Sequence, residues 1–215
     1  IKNPEAAPRY SGLVVKNIKI GESPEWLKAA VTSIGMRPIS NIVDITNFVM
    51  AEIGEPMHAF DRKKLKGDEI FVRYASKDEK ITTLDGKEHG LTPEDIVIAD
   101  ASGPIALAGV MGGGNSEIDD STTEIVLEAA TFNPVNIRKT AQRFDSRTEA
   151  AMRFEKTLSP EITVDALIRC YDLIKQVIPE AEAVSGIVDD YPVKPEPVQI
   201  EVTTDYIRRM IGEDL

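Results

Sequence analysis

The sequence predicts an α+β fold. Three observations carry this. The composition is that of an ordinary folded protein, with 42% hydrophobic and 28% charged residues over 215 positions. Short apolar runs bounded by turn residues fill the middle of the chain, and helical periodicity follows them, so strands precede helices rather than alternating with them. No internal repeat or low-complexity segment interrupts this order.

Residues 10–15 read as a strand. Ser23, Pro24 and Glu25 supply a capping hydroxyl, a proline at the first helical position and an early acidic group, so a helix is expected from 24 to 33 or 34, stopped at Gly35. In the next segment Ile42, Ile45, Val49 and Ile53 recur at steps of three or four, placing them on one helical face, with Ser40 or Asn41 to cap the start and Gly54 the end. Strands follow at 69–74, 81–84, 96–100 and 105–108, punctuated by Asp85-Gly86 and Ser102-Gly103-Pro104. A further strand at 125–127 leads to helices at 134–143 and 149–156 and a helical pattern over 162–178. Dense prolines make 191–197 a linker that separates a domain at 1–190 from residues 198–215. That tail offers one strand and one helix, too little for a core, and reads as the truncated start of a second module.

The net charge of −11 argues against tight nucleic-acid binding by this chain alone, because such affinity comes largely from neutralising phosphates. The adjacent pairs Asp119-Asp120 and Asp189-Asp190 read as solvated turns. No run is long enough for a membrane span, the first residues lack an apolar signal core, and the absence of an initial methionine suggests an excised piece. Cys170 is alone on a helical pattern, which fits a buried structural thiol in a reducing compartment.

Polar residues crowd the segment from Arg37 to Asp61. Thr46 and Asn47 sit mid-helix, where their side chains compete with the backbone, so they mark either a ligand contact or a solvated face. The glycine-rich stretch 106–117 is no phosphate loop, since Asn115-Ser116 stand where a lysine and a hydroxyl residue are required. Its glycines permit close backbone approach to a ligand, with a tight turn as the equal alternative. His58 and Asp61 make two metal ligands without a third, so no metal is expected. His89 is expected to be exposed in a hairpin. Glu128 lies among Val126, Leu127, Ala129 and Ala130, and is either a buried acceptor or a strand-end carboxylate in a surface ion pair.

Taken in order, Arg37-Pro38-Ile39-Ser40-Asn41 to Asp61, Thr83-Leu84-Asp85-Gly86, Ile105 to Gly113 with Asn115-Ser116-Glu117, Leu127-Glu128-Ala129-Ala130, Ile137-Arg138 and Thr148 to Lys156 form a specific series. Over roughly residues 9–190 the chain resembles the B3/B4 region of bacterial phenylalanyl-tRNA synthetase β subunits, and from Val198 it resembles the start of the B5 module. Glu55, where glutamine is common, and the extra Gly114 are departures. The resemblance implies a β-sandwich of unusual topology flanked by helices. It implies an editing hydrolase for tyrosine mischarged on tRNA(Phe), and no synthetic active site. Glu128, as an ionised acceptor, and the backbone near Gly109 would read the phenol. His58, Thr46, Asn47 and Pro56 would lie near the ester and terminal adenosine, Thr148 and Ala150 would close the pocket, and Arg37 would meet the tRNA end.

A site built to bond a hydroxyl rejects the analogue lacking it by ~10⁴-fold or more, which suits this division of labour. His58 is a general base by its ordinary pKa or else a positioning group for the tRNA 3′ end. The implied partners are the tRNA(Phe) 3′ end with its tyrosyl group, the synthetase α subunit and the remaining β-subunit domains, in an α2β2 enzyme of the cytoplasm with no membrane contact. No cofactor is expected here, ATP and Mg²⁺ serving the full synthetase elsewhere. A non-catalytic scaffold module and an aromatic amino-acid binding module are the alternatives.

Overall fold

In the computed structural model, which describes residues 1–213, the chain runs through β1 (Arg9–Lys16), α1 (Glu25–Ser33), α2 (Asn41–Ile53), β2 (Met57–Asp61), β3 (Phe71–Tyr74), β4 (Lys80–Thr82), β5 (Glu88–Gly90), β6 (Ile96–Asp100), β7 (Gly103–Leu107), β8 (Met111–Gly112) and β9 (Glu124–Thr131). It continues through α3 (Pro134–Arg143), α4 (Glu149–Phe154), α5 (Thr163–Val177), β10 (Glu182–Ala183), β11 (Val188–Asp190) and α6 (Thr204–Ile211). The α+β expectation holds. An antiparallel sheet places β9 between β1 and β2, with β10 and β11 on the far edge of β1. A second antiparallel sheet has the order β3-β6-β7-β8, and β4-β5 is a hairpin tied to it through the Thr83–Gly113 bridge.

The two-residue period of β9 explains how the layers form. Ile125, Leu127 and Ala129 point to one face, where they pack with Leu13 and Val15 of β1 against Ile42, Ile45 and Val49 of α2 and Leu167, Cys170 and Ile174 of α5. Val126 and Ala130 point to the other face and join Phe60 of β2 with Ile96, Ile98, Ile105 and Leu107 of the second sheet. Ile137, Ala141, Ala151 and Phe154 of α3 and α4 close the side of this second core. Burying each such aliphatic side chain contributes about 1.5–3 kcal/mol relative to leaving it exposed. Glu128 shares the face of Val126 and Ala130, so it is delivered into the space between the two sheets.

Local signals succeed where they are self-contained. Gly54 ends α2 in the left-handed conformation at φ 93°, and α3 runs over the expected residues with Asn133 capping it through its side chain. Several expectations need correction. Ser23 does not cap α1; its hydroxyl donates to Asp44 at 2.5 Å, and Asp44 also accepts the Ile39 amide at 2.8 Å, pinning α1 to α2. The strand expected at 125–127 is eight residues long, because pairing on both sides carries Glu128, Ala129 and Ala130 despite their low strand preference. Asp189 and Asp190 lie in β11 rather than a turn, and Asp189 forms a two-pronged ion pair with buried Arg9. His89 is half-buried rather than exposed, stacked on Phe144 and bonded to Thr83. Within the tail α6 forms, but the described residues contain no strand there. Cys170 is buried, and burial pushes its thiol up to about 12, which makes it inert.

Candidate functional site

Strand register assembles the site. His58 of β2, Glu128 of β9 and Gly12 of β1 are directly opposed across three strands. Side chains so placed share one sheet face, and Gly12 contributes none, which leaves room beside Glu128. The second sheet lies opposite. Between them is a cavity of about 260 Å³ walled by Asn47, Pro56, His58, Glu128, Thr148 and Ala150, with Met50, Ile98, Leu107, Val110 and Met111 supplying apolar surface. A dry apolar cavity of about 150 Å³ suffices for benzene, so this one has room for an aromatic side chain and part of its backbone.

Its polar groups are uncommitted. The Glu128 carboxyl and the Asn47 side chain make no hydrogen bond among the described residues, and the buried Nε2 of His58 has no partner. Glu128 is only 6% exposed, and burial pushes it up to about 8, so near pH 7 it is held mainly neutral rather than as the ionised acceptor expected from sequence. Burial pushes the imidazole of His58 the other way, down to about 4. Beneath the cavity wall Glu55 is fully buried, with no hydrogen bond of ordinary geometry to either oxygen. Burial first and the proximity of Glu128 second raise it to about 9, against a small opposing effect of the Ala130 amide.

The two glycines at the site have different reasons. Gly109 has φ 65°, and a Cβ there would lie 2.9 Å from Phe154, 3.0 Å from Phe132 and 3.1 Å from Ile137. Its identity is therefore set by the turn and by the core behind it, while its N–H faces no protein acceptor among the described residues. At Gly112 a Cβ would fall 2.7 Å from Cε1 and 2.9 Å from Nε2 of His58, so the bare backbone is the seat on which the imidazole rests.

The family model for the B3/4 domain matches residues 6–179. The chain belongs to the B3/4 domain family. The phenylalanine–tRNA ligase beta subunit of Solibacter usitatus is 48% identical over 205 residues, covering 95% of this chain and 27% of that protein. The corresponding subunit of Carboxydothermus hydrogenoformans is 47% identical over 216 residues, covering all of this chain and 27% of the relative. This B3/4 domain chain thus spans about a quarter of the length of these relatives. In fold it is similar to an N-terminal fragment of the phenylalanyl-tRNA synthetase beta subunit from Pyrococcus horikoshii, with TM-score 0.54 at 14% identity over 100% of this chain and 58% of that one.

Of the residues singled out from sequence, the B3/4 fold brings Asn47, Pro56, His58, Gly109, Glu128, Thr148 and Ala150 to one cavity. Two stand apart. Thr46 is buried off the wall and donates its hydroxyl to the Val43 carbonyl at 2.8 Å, one turn back in its own helix. Arg37 is exposed on the connection before α2, outside the wall. Thr148 lines the cavity with its hydroxyl already occupied, donating to Val110 at 2.8 Å and accepting from Ala151 at 3.1 Å as the cap of α4. Glu55, Gly112 and Leu84 were not assigned from sequence. Glu55 alone left a signal, as an acid before Pro56 in an apolar context.

Proposed function

We propose that this chain is the editing module of a phenylalanyl-tRNA synthetase β subunit and hydrolyses the ester of tyrosine mischarged on tRNA(Phe). The observation that carries the reading is the convergence of three unpartnered polar groups, from Asn47, His58 and Glu128, on one cavity whose other walls are largely apolar. Such a cavity selects a ligand that is apolar in the middle and polar at both ends. Glu128 bonds the phenol, as acceptor through one oxygen and, while neutral, as donor through the other. The Gly109 N–H assists there. Phenylalanine leaves the carboxyl buried and unpaired, a cost of about 1–3 kcal/mol that corresponds to roughly a five- to 150-fold preference from this one contact, below the ~10⁴-fold that a hydroxyl-reading site can reach.

At the ester end Asn47 and His58 hold the acyl group and the terminal adenosine, Pro56 and Ala150 wall them, and Thr148 fixes the α4 turn. Among the described residues no side-chain nucleophile serves this site, because the Thr148 hydroxyl is engaged and Cys170 is inert in the other core. With its imidazole near 4, His58 is neutral at physiological pH and a weak base, so we assign it to positioning. An activated ester held beside an ordered water supplies the remaining drive. The role of Thr46 is indirect, through the shape of α2. Arg37 lies outside the cavity, where a cation suits the phosphates of the tRNA end. The −11 charge assigns the grip on tRNA to the α subunit and the other β-subunit domains of a cytoplasmic α2β2 enzyme. In the same reading 1–190 is the editing module, 191–197 the linker and 198 onward the start of the B5-like module.

The test is deacylation of Tyr-tRNA(Phe) and Phe-tRNA(Phe) by the full αβ enzyme and its Glu128→Met variant. The wild type is expected to clear the tyrosyl ester and spare the phenylalanyl one, and the variant to lose that preference. A wild type inert toward both esters, or a variant with intact preference, would refute the reading.

A further inference from the structure

Glu55 is a buried polar residue that neither the fold nor the proposed site uses. It sits between the left-handed Gly54 that ends α2 and Pro56 of the cavity wall, is 0% exposed, and offers both carboxyl oxygens to no hydrogen-bond donor of ordinary geometry. Among the described residues no lysine or arginine lines the cavity to compensate a charge there. An isolated buried carboxylate is costly enough that the group keeps its proton instead. From β9 Glu128 lies close enough to raise Glu55 further, and the buried, unpartnered hydroxyl of Tyr10 on β1 is electrostatically coupled to Glu128 in turn. His58 on β2 is neutral at physiological pH, and Glu149 on α4 is paired with Arg153 at 2.6 Å. A neutral carboxyl carries one O–H donor, and Glu128 is the acceptor without a partner.

We propose that Glu55 is a specificity-positioning residue of this site: a neutral carboxylic acid behind Glu128 whose O–H donates to it and turns the free Glu128 oxygen toward a phenol in the cavity. A Glu128 carboxyl that accepts one hydrogen bond from Glu55 is held in one orientation, with its other oxygen free for a phenol in the cavity. The part played in phenol selection rests on the editing reading. The protonation of Glu55 does not.

Two measurements test it separately. In the first, the chain labelled with ¹³C at glutamate carboxyls is titrated by NMR, with Glu55→Gln and Glu128→Gln assigning the two buried signals. Glu55 is expected to remain protonated through pH 7, and an ordinary titration near 4.5, leaving it ionised at pH 7, would overturn the proposal. In the second, the full αβ enzyme carrying Glu55→Gln or Glu55→Met is assayed on Tyr-tRNA(Phe) and Phe-tRNA(Phe). The amide of glutamine still donates and is expected to keep the tyrosine preference within about twofold, whereas methionine, similar in size without a donor, is expected to lose about tenfold, the worth of one hydrogen bond of about 1.4 kcal/mol. Equal preferences in the two variants, or loss in the glutamine variant, would overturn the assignment. A wild-type enzyme inert toward both esters refutes the editing reading while the titration still decides the state of Glu55.

Discussion

The two faces of β9 are made from one eight-residue segment and serve opposite ends. Ile125, Leu127 and Ala129 pack against α2 and α5 among apolar side chains and an inert thiol. One residue out of phase, Val126, Glu128 and Ala130 meet the second sheet, and on that side Tyr10, Glu55 and His58 each keep a buried polar atom without a partner. Both faces bury an apolar cluster. In the proposed reading the inter-sheet face also keeps unpaired groups for a ligand, a distribution common to binding sites.

The largest expected effect breaks the dry face. Leu127→Ala should cost about 2–5 kcal/mol of folding free energy through lost burial and the cavity left behind, read as a lowered denaturant midpoint, while the tyrosine preference of the folded enzyme stays intact. A preference that collapsed together with stability would show that the faces are not separable.

Gly112→Ala acts on the other side. Its new Cβ would meet the His58 ring at 2.7–2.9 Å, so the imidazole must leave its seat. The expected cost is about 1–3 kcal/mol of stability, with a loss of deacylation comparable to that in His58→Ala. Wild-type kinetics in this variant would show that the resting place of His58 has no functional weight.

Glu128→Met sharpens the contrast, because removing a buried, unpaired carboxyl is expected to leave stability unchanged or raise it by about 1–3 kcal/mol while tyrosine preference is lost. Destabilisation by this substitution would mean that Glu128 is a structural group after all.

The pH dependence of stability carries the same signature with its sign determined. Glu55 and Glu128 have folded values near 9 and 8 against an ordinary 4.5, so their contribution is fully present below 4.5 and is lost as pH rises toward 8–9. His58 is depressed from 6.5 to about 4, so its contribution is present above 6.5 and lost as pH falls through 4. Between pH 6.5 and 9 the two acids alone should therefore lower the urea midpoint, and the double change Glu55→Gln with Glu128→Gln should flatten that decline. An unaltered slope would place the titrating groups elsewhere.

The smallest expected effect concerns His58 in the reaction itself. Single-turnover deacylation from pH 5.5 to 8 should show no titration near 6.5 in the wild type, and His58→Ala should lower the rate without reshaping the profile. An imidazole-like inflection that disappears in the variant would make His58 the base.

Much of this was written locally. The spacing of Ile42, Ile45, Val49 and Ile53 with Gly54 behind them determined α2, the proline and residues after Asn133 determined α3, and the motif series from Arg37 to Lys156 determined the family and seven residues of the cavity wall. These signals are short-range, carried by helical period, capping chemistry and the identity of neighbouring residues. Tertiary structure decided what depends on partners far along the chain. It lengthened β9 by pairing it on both sides, turned Ser23 from a cap into a ligand of Asp44, took Thr46 out of the wall, and set Gly109 against Phe132 and Phe154. It also decided that Glu128 and Glu55 are held as neutral acids and His58 as a neutral base. A residue type supplies an ionisable group, but its charge is set by desolvation and by the groups around it, and those arrive only when the two sheets close.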